Sequence, residues 1–124
     1  MDEDRVYTVA EANDMLPELS ERLVRVRSAR QELLRGAKLV KERVATDGGG
    51  AFGGREYWQA QSTLRAEIER LAKENILLRD PETGLVDFPG EREGRRVWLC
   101  WRLGEQRVGH WHELDTGFIG RQSL

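Results

Sequence analysis

From Leu16 onward, the apolar residues Leu16, Leu19, Leu23, Val26, Leu33, Ala37, Val40 and Val44 recur in steps of three and four, interrupted by Arg30. That spacing lays an apolar stripe along one face of an α-helix, as in the seam between two packed helices. Tyr57, Gln61, Leu64, Ile68 and Leu71 repeat the pattern over a second segment. Between them stands "TDGGGAFGG" at 46–54, with five glycines in nine residues, which no helix tolerates. A phosphate-cradling reading of these glycines is disfavoured, because the Lys-Ser/Thr of a P-loop is missing and no apolar strand precedes them. Folding the chain back here sets Val44 against Tyr57, Val40 against Gln61, Ala37 against Leu64 and Leu33 against Ile68. The result is an antiparallel helical hairpin. Its second arm runs out near Asn75, opposite Val26. Leu16, Leu19 and Leu23 project beyond it and need cover, from a C-terminal sheet or from a second subunit.

Other punctuation places the remaining elements. Thr8 and Glu11 have capping-box spacing. Pro17 lacks an N–H and disfavours helical geometry at Leu16, so the spacing predicts a short helix over 9–15, a kink near Pro17, and a long helix to residue 45. The second helix is expected over 55–74, with Asn75 as a left-handed cap. Beyond it the periodicity becomes two-fold. "ILLRD" (76–80) and "LVDF" (85–88) read as strands, joined by "DPETG", a tight turn with a following bulge. "PGEREG" (89–94) reads as a connection, "RRVWLCWRL" (95–103) as the strongest strand, and "VGHWHEL" (108–114) as another. The expectation is an α+β fold: a kinked N-terminal helix and a long antiparallel helical hairpin, packed with a three- to four-stranded antiparallel β-meander over 76–115. Residues 116–124 follow as a tail, and the whole is one domain.

Composition narrows the functional classes. The 124 residues carry a net charge of −2, so no overall field selects nucleic acid or membrane. Charged residues make up 34% of the chain, above the roughly 25% of ordinary globular chains, which suggests extensive exposed helical faces. No stretch approaches the ~20 apolar residues of a membrane span, and "MDEDRVY" has no apolar signal core. A single Cys cannot form an internal disulfide, which fits a reducing cytoplasm.

The residues with chemistry concentrate in "CWRLGEQRVGHWHE", 100–113. His110 and His112 are two apart and share one face of a strand, so both could reach one divalent metal ion, with Cys100, Glu113, Asp115, Asp87 or Glu105 completing the set. Register decides whether Cys100 joins them. A four-residue loop at 104–107 puts Leu99 opposite His112, with Cys100 on the other face. An odd-length loop puts Cys100 opposite a histidine, on the histidine face. Apolar matching favours neither. A catalytic Cys–His pair lacks any accompanying oxyanion feature. The first long helix carries eight basic residues (22, 25, 27, 30, 35, 38, 41, 43) against four acids (18, 21, 32, 42). That local excess raises weak nucleic-acid binding as a reading, opposed by the overall charge and by the lack of interleaved aromatics.

"YTVAEANDMLPEL", "GLVDFP" and "LCWRLGE…WHELDTGFIGRQ" resemble the prokaryotic family called domain of unknown function 2203, over nearly the whole chain. The resemblance implies a bacterial or archaeal protein and maps the family's motif residues onto Asp87, Cys100, Trp101, Glu105, Trp111, His112, Glu113, Gly117 and Arg121. It further implies that the His110 position often carries another residue, which moves interest to His112 with Glu113, Asp87, Glu105 and Arg121. The reading favoured here is a cytoplasmic, non-enzymatic binding or scaffold protein, a homodimer through its helices with an unknown protein partner. The alternative is a metal-binding protein, a reading that extends to a metal-dependent hydrolase, with its ion near His112, Glu113, His110 and Cys100.

Overall fold

The computed structural model describes residues 5–47 and 54–124. The glycine-rich loop, for 48–53, and the pairings of Val40 and Val44 lie outside the described residues and side chains. The first helix, α1 (Val9–Asp47), begins at the predicted capping box: the Thr8 amide donates to Glu11 Oε1 at 2.8 Å, and the Glu11 amide to Thr8 Oγ1 at 3.0 Å. A separate short helix over 9–15 is not found: α1 is one helix through Pro17. An interior proline costs about 3 kcal/mol. Ala12 and Leu16 before it, and Leu19 and Leu23 after it, are all buried. Each buried leucine contributes about 1.5–3 kcal/mol, so packing on both sides carries the helix across the proline.

The second helix, α2 (Arg55–Lys73), returns antiparallel, with Arg70 beside Glu18 and Glu67 beside Arg25. The hairpin is as predicted, but its seam is rotated. Ala60, Glu67 and Leu71 face inward, whereas Ile68, expected against Leu33, is 49% exposed. On α1, Gly36 is buried where Ala37 was expected. Arg22 accounts for the rotation. Its side chain is 1% exposed, donating Nε to Glu67 Oε2 at 2.8 Å and Nη2 to Glu74 Oε1 at 2.9 Å. A buried guanidinium without carboxylates is prohibitive, so α2 turns Glu67 inward and Ile68 outward.

Asn75, at φ 61°, ends α2 as predicted. The chain then enters an antiparallel sheet of β1 (Leu77–Asp80), β2 (Leu85–Arg92), β3 (Arg95–Arg102), β4 (His110–His112) and β5 (Gln122–Ser123), in that spatial order. The strand count exceeds the prediction, and β2 runs further than expected. The tail contributes β5, paired with β4, and a 3₁₀ turn over Phe118–Gly120 precedes it. Also, 89–94 is not a loose connection, because β2 runs to Arg92 and turns through Glu93 and Gly94, both at positive φ. That is the two-residue hairpin geometry usually marked by Asn-Gly or Asp-Gly.

Pro89 is tolerated within β2 because its carbonyl accepts the Tyr7 amide at 2.7 Å, on the side away from β3. Its missing N–H falls on that same side, outside the β2–β3 ladder. Gly90 is needed for a different reason: a Cβ there would stand 2.8 Å from Leu99 Cγ.

One sheet face, with Val86, Phe88, Leu99, Trp101 and Trp111, packs on Leu16, Leu19, Leu23 and Leu71 in a single apolar core. The projecting leucines of α1 are thus covered by the chain's own sheet. Arg30 pairs with Glu82 on the β1–β2 turn at 2.9 Å. Among the described residues no helix is long and apolar enough to cross a membrane.

Candidate functional site

Register builds the site. Leu99 lies opposite Trp111 and Cys100 opposite His110, which is the odd-length alternative, and Asp87 lies opposite Cys100 across β2 and β3. Period-two alternation therefore puts Asp87, Cys100, His110 and His112 on the sheet face turned away from the helices. His112, on β4, reaches across β3 to Asp87 on β2. Its Nε2 stands 3.1 Å and 3.0 Å from the two carboxylate oxygens. Asp87, Cys100 and His112 bring a carboxylate oxygen, a thiol sulfur and a ring nitrogen within 4.8 Å of one another. All three residues are buried, at 2%, 0% and 1% exposure.

The protons of this trio follow from its partners. His112 Nδ1 lies 2.8 Å from the Glu113 carbonyl, which can only accept, so Nδ1 carries a hydrogen. Nε2 and the Asp87 carboxyl then hold one proton between them. Arg79 donates Nε to Asp87 Oδ2 at 2.8 Å and lies 5.2 Å from the centre of the Trp98 ring. Burial pushes the Cys100 thiol up to about 11, against the opposing pull of the Arg121 guanidinium. At neutral pH the metal-free thiol is protonated and inert as a nucleophile.

The other predicted site residues separate from the trio. Glu105 and Arg121 form a two-pronged ion pair (2.7 and 3.4 Å) with Arg121 Nη1 3.9 Å from Cys100 Sγ. Burial raises the Glu105 carboxyl, but Arg121 and the Arg102 amide outweigh it and hold the group below its ordinary range. Glu113, expected as a ligand, turns outward to Arg95 at 2.6 Å, and that hydrogen bond lowers its carboxyl. His110 shares the face but stays outside the trio, and its Nδ1 has no hydrogen-bond partner among the described residues. His110 is not among the converging ligand groups: of the two histidines, only His112 sets its Nε2 on Asp87.

A cleft of about 390 Å³ opens over Asp87 and His112, lined also by Arg79, Leu85, Leu114 and Phe118 among others. Cys100 does not line it and sits behind the floor. Arg79 is the site residue that sequence reasoning missed. The structure places an extra residue in β1 between Leu78 and Asp80, before the turn rather than after it, and this bulge falls at Arg79. The available signal was Arg79 two residues along β1 from Leu77, which lies opposite Asp87, so that the two share a strand face.

A family model described as Uncharacterized conserved protein (DUF2203) matches residues 5–124. No curated protein and no solved structure matches the chain.

Proposed function

As a member of the DUF2203 family of uncharacterized conserved proteins, the chain takes its reading from its own site, and we propose that it is a small metal-binding protein holding one zinc-class divalent ion on Asp87, Cys100 and His112. The carrying observation is the convergence of three ligand types within 4.8 Å on three adjacent strands. Thiolate, imidazole and carboxylate together suit zinc, and three protein ligands are the count of a zinc site that keeps a position for another molecule. The Nδ1 contact to the Glu113 carbonyl supports the reading, since metal-bound imidazoles donate their other N–H in this way and so aim Nε2 at the ion. Binding must displace the proton shared by Asp87 and His112 and the thiol proton of Cys100, so affinity rises with pH. The scaffold reading drew on a need to cover Leu16–Leu23, which the sheet now meets.

A second reading has its own observation. Arg79 and Arg121 already touch Asp87 and Cys100, which satisfies the trio as a hydrogen-bonded brace without an ion. Elemental analysis and thermal unfolding separate the two. A metal site gives near-stoichiometric zinc after dialysis, a Tm that rises with added zinc, and loss of both in His112→Ala. A brace gives metal-free protein whose Tm ignores zinc, nickel and manganese, and that result rejects the proposal.

A further inference from the structure

The cleft above Asp87 and His112 has an organised cation at its edge. Arg79 is fixed twice, by its Nε–H to Asp87 and by its position over Trp98, while its side chain is 43% exposed. Guanidinium has four further N–H donors on its terminal nitrogens, in a planar fork. A fork held by contacts other than its ligand loses little freedom on binding. Arg79 is the guanidinium of the cleft lining, and the Asp87 carboxylate beneath it is already engaged by both His112 and Arg79. Asp115 lies on the rim and is exposed, where water screens it. Arg121 and Arg102 lie over the Phe118 ring, 4.4 and 5.5 Å from its centre. Leu85, Leu114 and Phe118 supply apolar walls, and about 390 Å³ is at the small end of ligand sites.

We infer that this cleft binds a small organic monocarboxylate, its carboxylate in the fork of Arg79 and its apolar body against Leu85, Leu114 and Phe118. The planar fork suits carboxylate and phosphate alike, but a single guanidinium balances one carboxylate and leaves half of a phosphate dianion's charge uncompensated. The inference goes beyond the metal reading and does not depend on it.

Benzoate is the probe, with benzamide as its neutral isostere and inorganic phosphate as the competing anion. Amide shifts at Leu114–Phe118 and the Arg79 Nε–H are followed by NMR, in chelator-treated and in zinc-supplemented protein. The expected result is saturable benzoate binding in both samples, with no comparable response to benzamide or phosphate. Arg79→Lys, which keeps the charge beside Asp87 but not the fork, weakens benzoate about tenfold to a hundredfold. Phe118→Ala weakens it without touching Asp87, and decides the matter if the Arg79 variant does not fold. Equal shifts from benzamide or phosphate, no benzoate response, or unweakened binding by folded Arg79→Lys overturns the inference. Benzoate binding in a protein that takes up no zinc rejects the metal reading alone. Zinc uptake without benzoate binding rejects this one alone.

Discussion

Replacing Asp87 separates the energetic parts of the site. Asp87→Ala removes the acceptor of His112 Nε2 at 3.0 and 3.1 Å and of Arg79 Nε at 2.8 Å. His112 is 1% exposed, so its nitrogen is stranded away from water, a loss of about 2–3 kcal/mol. Arg79 is 43% exposed and regains water, so its share is at most about 1 kcal/mol. The space left behind adds about 1 kcal/mol. The total is about 4 kcal/mol, a fall in Tm of roughly 10–20 °C for a chain of this size. Asp87→Asn behaves differently. Its carbonyl oxygen still accepts from Arg79 and its NH2 donates to a neutral His112 Nε2, so the loss is about 1–2 kcal/mol. The assay is urea unfolding of chelator-treated protein at pH 7, followed by tryptophan fluorescence and far-UV circular dichroism together. Equal losses for the two variants, or an Asp87→Ala loss below about 1 kcal/mol, would refute the assignment of Asp87 as the buried acceptor of His112.

Other consequences are as concrete. Arg22→Met leaves Glu67 and Glu74 without their shared buried cation, with only the more exposed Arg25 and Arg70 at 3.6 and 3.8 Å, and lowers stability by about 2–4 kcal/mol, whereas adding Glu67→Leu and Glu74→Gln recovers most of it; urea midpoints of the single and combined variants check this, and a single-variant loss below about 1 kcal/mol contradicts it. The Cys100 thiol titrates near 9.0 when exposed and near 11 in the fold, so the native state favours the protonated form. That stability is whole below about pH 9 and is lost as pH climbs towards 11, by about 2–3 kcal/mol. Cys100→Ala abolishes this alkaline limb in a pH series of urea midpoints; a limb that survives the substitution belongs to another group.

Much of the fold was written in local signals. The capping box, the two helices and their antiparallel return, the cap at Asn75 and the two-fold alternation of β3 each rest on neighbours in sequence, and each is found. What sequence did not disclose rests on contacts distant along the chain. The helix crosses Pro17 because a sheet about eighty residues away buries both flanks. α2 is rotated because Arg22 draws Glu67 inward, although an apolar Ile68 was the better local candidate. The Glu93–Gly94 turn lacks the Asn or Asp that usually marks it, and Pro89 disguised a strand as a loop. The trio was foreseen residue by residue, yet its convergence hung on a one-residue change of register that apolar matching could not decide. Glu113 and His110 were natural ligand candidates by proximity to His112, but Arg95 claims the first, and the second, though opposite Cys100, stays outside the converging trio.

Cobalt(II) is the most direct test of the Asp87–Cys100–His112 site, because this chain has one cysteine and a thiolate-to-cobalt charge-transfer band can arise only from Cys100. Titration of the full chain at pH 7.5 should give that band at one equivalent, together with the visible absorption of a low-coordinate ion. Cys100→Ser should lose the band, Asp87→Ala and His112→Ala should weaken binding at least tenfold, and His110→Ala and Glu113→Gln should leave it unchanged. A native chain that shows no charge-transfer band at millimolar cobalt would contradict the metal reading and leave the trio a brace.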